Sequence, residues 1–89
     1  MTKEEVLERL RINKSNIKDR FNAELLAIFG SYARGDQSEG SDLDILYRLD
    51  TDARFGIVEY DALESFIKEV IGIPSVDLVN EKYIILSLR

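Results

Sequence analysis

Apolar residues recur along this chain with two different periods. After Thr2, whose spacing to Glu5 is that of a capping box, Val6, Leu7 and Leu10 share one helical face. Asn13, Lys14, Ser15 and Asn16 interrupt the pattern before Ile17 and Phe21 resume it four residues apart. This stretch predicts either one long helix with a polar kink or two short helices, ending at Asn22. The run Leu25-Leu26-Ala27-Ile28-Phe29 is too short for a free-standing helix and meets Gly30 at once, so a buried strand is predicted over 24–29. Tyr32, Ala33 and Arg34 then start a short helix that stops at Gly35. A polar loop over 36–41 leads to a second strand over 42–48, and residues 49–56 read as a loop. From Val58, the residues Leu63, Phe66, Ile67, Val70 and Ile71 fall at helical spacing, with Gly72 and Pro74 as the stop. Val76 to Val79 read as a third short strand. The tail is ambiguous, since Ile84 and Leu88 fit a helix while Tyr83 to Leu86 fit a strand equally well. The expected fold class is α+β: a small mixed β-sheet of three or more strands with helices packed on one face.

Gly30-Ser31 and the pair Asp42/Asp44 carry the chemistry. Gly30 has no side chain to keep the backbone from a ligand. A helix starting after Ser31 would aim free N–H groups and a positive dipole end at an anion, of which phosphate is the natural choice. In a strand, Asp42 and Asp44 point to one side while Leu43 and Ile45 point to the other. Two carboxylates so placed repel, and one is pushed toward protonation unless a cation lies between them. Magnesium suits the pair, because it takes oxygen ligands and completes its shell with water and substrate phosphates. Asp77 faces away from Val76 and Leu78 and would join this pair if the two strands are neighbours in the right register.

The 89 residues read as a single domain over 1–89, with no room for a second, substrate-holding one. Lys and Arg number 12 against 17 Asp and Glu, a net charge of −5. That sign disfavours autonomous binding of DNA or RNA. Cysteine and histidine are both absent, which excludes disulfides, thiolate or imidazole zinc sites and a serine-histidine triad. The charged opening lacks the apolar run of a signal peptide, and no stretch approaches a membrane span, so a soluble cytoplasmic protein is expected.

Gly30-Ser31, ten intervening residues, then Asp42-x-Asp44 resembles the signature of the DNA polymerase beta-like nucleotidyltransferase superfamily. The fuller wording GSYARGDQSEGSDLDI, in so short a chain, is similar to the minimal nucleotidyltransferases (MNT) found as antitoxin partners of HEPN-domain ribonuclease toxins. The likeness spans roughly residues 2–80, and its specificity lies in the order of Gly-Ser, Arg-Gly and Ser-Asp-x-Asp. It implies a third carboxylate on a later strand, which supports Asp77. It also implies transfer of AMP from ATP to a tyrosine of a HEPN toxin, with two magnesium ions on Asp42, Asp44 and Asp77 and the nucleotide held by Gly30, Ser31 and Arg34. The competing expectations are a catalytically weak or inactive antitoxin that neutralises its partner by contact and, further off, an aminoglycoside-type adenylyltransferase. Tyr47, Tyr60 and Tyr83 receive no chemistry in this reading.

Overall fold

A computed structural model of the chain describes residues 1–38, 40–50 and 54–83. The first helix, α1 (Lys3–Phe21), opens with the expected capping box: the Glu5 N–H donates to Thr2 Oγ1 at 3.2 Å and the Thr2 N–H to Glu5 Oε1 at 3.1 Å. It closes on Asn22 in the left-handed conformation, φ 53°. Of the two alternatives for the polar stretch at Asn13–Asn16, the long helix forms: the stretch does not split it. Lys14, Ser15 and Asn16 lie on the exposed side, and Asn13 Nδ2 donates back to the Arg9 carbonyl at 2.8 Å, a bond compatible with unbroken helix. Polar residues here mark the solvent face of one helix.

Strand β1 (Ala23–Phe29) follows directly and starts one residue earlier than predicted, because Ala23 is fully buried and pairs with Leu49. After the four-residue helix α2 (Ser31–Arg34), strand β2 (Leu43–Leu49) runs antiparallel to β1, with a register irregularity between Leu25 and Ala27. Leu49, assigned above to a loop, ends this strand, and the Asp50 N–H closes the corner on the Asn22 carbonyl at 3.0 Å. Residues 51–53 of that expected loop lie outside the described residues. Helix α3 (Ile57–Ile71) begins where Glu59 Oε1 accepts the Gly56 N–H at 2.8 Å, and it ends on Gly72 at φ 81°. Strand β3 (Val76–Asn80) then pairs parallel with β2, giving the sheet order β1-β2-β3. Residues 81–83 are helical, while the alternatives for Ile84, Leu86 and Leu88 fall outside the described residues.

The two long helices share one face of the sheet. Val6, Leu10 and Ile17 of α1 and Leu63, Ile67 and Ile71 of α3 meet Leu43, Ile45 and Tyr47 of β2 and Val76 and Leu78 of β3 in one core. Each fully buried Ile or Leu there contributes roughly 1.5–3 kcal/mol of transfer free energy. The Phe21 and Phe66 rings, 5.6 Å apart, join the helices, with the Arg20 guanidinium 4.7 Å over Phe66. Alternation along β2 and β3 then commits Asp44 and Asp77 to the opposite face. Among the described residues no helix is long and apolar enough to cross a membrane.

Candidate active site

Parallel pairing of β2 with β3 sets Asp44 directly opposite Asp77. The same register carried two residues back brings Asp42, just ahead of β2, to Ser75, just ahead of β3. The Leu43 N–H donates to the Ser75 carbonyl at 2.9 Å, and the Ser75 hydroxyl donates to Asp42 Oδ1. Antiparallel pairing on the other side puts Phe29 opposite Asp44, so the chain leaves β1 at Gly30 right against the Asp44 carboxylate. Gly30 adopts φ 74° and ψ −151°, a conformation that a side chain strongly disfavours.

Gly30 accepts the Arg34 N–H at 3.1 Å, and Ser31 accepts the Asp36 N–H at 3.1 Å, so α2 is a single closed turn. Tyr32 anchors it by burying its ring in the core, which leaves Ser31 half-buried and Arg34 exposed. Arg34 Nε donates to Asp36 Oδ2 at 3.1 Å, an exposed ion pair. The Arg34 charge still reaches the acidic group. Burial pushes the Asp44 carboxyl above its usual range, the negative charges of Asp77 and then Asp42 push it further, and Arg34 opposes them. Asp42, Asp44, Asp77 and Arg34 thus share one electrostatic neighbourhood around the Gly30 turn.

Sequence reasoning passed over two residues bordering this site. Ser75 was visible only as a polar residue after Pro74, and its contact with Asp42 follows once the β2–β3 register is known. Tyr60 reaches from α3 to donate to the Leu78 carbonyl at 3.3 Å on the free side of β3. Burial raises its phenol, and the charges of Glu64 and Asp77 add to the effect.

Three carboxylates, Asp44 and Asp77 on adjacent strands and Asp42 just ahead of β2, fit a hard divalent cation in kind, since the repulsion that raises Asp44 is what such an ion relieves. As the side chains stand, no three acidic groups among the described residues form a complete ligand cluster. Magnesium is commonly held by one or two carboxylates, with water and phosphates completing the shell, so a partial protein set is compatible with it.

Comparison with known proteins gives this geometry its context. Residues 7–89 match the family described as "Nucleotidyltransferase domain". A Methanocaldococcus jannaschii protein named "Putative protein adenylyltransferase" is 39% identical over 83 residues, 93% of this chain and 82% of that one. A Thermococcus cleftensis protein named "Protein adenylyltransferase MntA" is 34% identical over 79 residues, 89% of this chain and 77% of its own. Among solved structures, one described as "Structure of putative minimal nucleotidyltransferase" superposes with a TM-score of 0.70 at 29% identity, covering 92% of this chain and 80% of that chain. Agreement in sequence along nearly the whole chain, and in three-dimensional architecture, establishes that this chain belongs to the nucleotidyltransferase domain family and is a nucleotidyltransferase.

Proposed function

We propose that this enzyme transfers AMP from ATP to a tyrosine hydroxyl of a partner protein, a HEPN ribonuclease toxin, and thereby acts as its antitoxin. The observation that carries the catalytic part is the register of β2 and β3, which sets Asp77 opposite Asp44 beside the Gly30 turn. The names of the two relatives support a protein as acceptor.

In the reaction, the acceptor oxygen attacks the α-phosphorus of ATP. A new O–P bond forms as the bond to the bridging β-oxygen breaks, and pyrophosphate leaves with the electron pair. Two magnesium ions on Asp42, Asp44 and Asp77 would supply neutralisation of the triphosphate and of charge on the attacking and leaving oxygens. Asp77 lies across from Asp44, where it is suited to take the proton from the attacking hydroxyl. Ser31 and the N–H groups after Gly30 hold the terminal phosphates. Arg34, released from Asp36, offsets charge on departing pyrophosphate. The acceptor hydroxyl belongs to the partner protein, in keeping with the names of the two relatives.

The test is incubation of the purified protein with α-labelled ATP, magnesium and the protein encoded beside it. Label should appear on the neighbour and be lost with Asp42→Asn and with Asp44→Asn. A neighbour that is inhibited but never labelled would instead identify a stoichiometric binder.

A further inference from the structure

We propose that Ser75 is a positioning residue for this site: its hydroxyl restricts the rotamers of the Asp42 carboxylate and so lowers the ordering cost of binding a divalent cation there. The inference rests on the assignment of Asp42 to metal binding and adds to it a residue outside the motif.

Asp42 stands one position ahead of β2, where no ladder pairing yet fixes its backbone, and its side chain is exposed. A carboxylate so placed has free rotamers, and a ligand that must be ordered on binding loses affinity to that ordering. Ser75 removes the freedom at two points. Its carbonyl takes the Leu43 N–H at 2.9 Å, pinning the chain beside Asp42, and its hydroxyl donates to Asp42 Oδ1, restraining that carboxylate oxygen. Ser75 itself is delivered firmly. Gly72 ends α3 in the left-handed conformation, Ile73 is buried in the core, and Pro74 restricts its own φ immediately before Ser75. The α3–β3 connection thus brings a hydroxyl donor to the first acid of the Asp-x-Asp pair. Groups that orient a metal-binding carboxylate in this way act without touching the ion, and their loss typically costs 10–100-fold in metal affinity. Because Asp42 is exposed, the lower end of that range, about tenfold, is expected here.

The experiment titrates Mn2+ into the ATP-loaded protein and follows binding by electron paramagnetic resonance, comparing wild type, Ser75→Ala, Ser75→Thr and Asp44→Asn, with thermal unfolding run in parallel. Ser75→Ala should weaken Mn2+ binding about tenfold with little change in Tm, and Ser75→Thr, which keeps the hydroxyl, should restore it. Binding lost in Asp44→Asn but unchanged in Ser75→Ala would overturn the role of Ser75 alone. Failure of Ser75→Thr to recover affinity while folding normally would overturn it too. Wild-type protein that binds no Mn2+ would overturn the metal assignment and, with it, this inference.

Discussion

The Asp44 carboxylate rests on the Cα of Gly30: a Cβ added at position 30 would overlap Oδ2 and lie 3.3 Å from Cγ. The obstruction compounds the backbone cost of φ 74°. Gly30→Ala is therefore expected to displace Asp44 as well as lower stability by about 1–3 kcal/mol. Activity should fall roughly 100-fold, as for other displacements of about 1 Å in a reacting constellation. Steady-state kinetics on the folded fraction, with denaturant melts to define that fraction, checks this. Near-wild-type turnover would show that the close approach is incidental.

Asp44→Asn should inactivate the enzyme and, in the absence of metal, stabilise the fold near neutral pH. Burial and the charges of Asp77 and Asp42 raise the Asp44 carboxyl. The folded protein then holds this proton more tightly than the unfolded chain does. The associated stability is complete below the unfolded carboxylate value and is lost as pH rises through the raised folded value. Melting curves of metal-free protein between pH 4 and 8 should show that loss in wild type, and Asp44→Asn should flatten it. A lower Tm for the variant across the whole range would contradict the assigned strain.

These effects were unequally legible in the sequence. Period-2 alternation alone put Asp44 and Asp77 on the face away from Leu43 and Leu78, and the Thr2–Glu5 spacing gave the start of α1, because both are local rules. The polar run at Asn13–Asn16 left one helix or two open, because a break in apolar spacing looks the same whether the helix ends or merely turns its solvent face outward. Leu49 belonged to β2 for a non-local reason, its pairing with buried Ala23. The acidic constellation was legible as residue types, and the register that assembles it was not, since strand pairing depends on where α3 sets down β3. Ser75 was invisible for the same reason.

Arg34 separates charge from stability. Its ion pair with Asp36 is exposed, so Arg34→Gln should change stability by less than about 1 kcal/mol. Arg34 also draws the Asp44 carboxyl downward, so its removal lets that group rise further. Carbon-13 titration of the Asp44 carboxyl in metal-free protein should move to higher pH, and the acid limb of kcat/KM should move with it. An unmoved titration would place the Arg34 charge out of reach of Asp44.

Arg9 tests the scaffold apart from the chemistry. Its Nη1 reaches from α1 to the Ile71 carbonyl at 2.6 Å, a partly buried bond to the last turn of α3, where a cation also meets the negative end of the helix. Arg9→Met keeps most of the aliphatic stem and removes only the charge and the donor. A hydrogen bond from a charged group of this kind contributes about 1.5 kcal/mol, so Tm should fall by roughly 6–12 °C in a domain of this size. Below the transition, turnover per folded molecule should stay near that of wild type, since β2 and β3 keep their pairing. A large loss of turnover in fully folded Arg9→Met would mean that the end of α3 is held by this one bond alone, and that its slippage is passed through Gly72, Ile73 and Pro74 to β3 and Asp77.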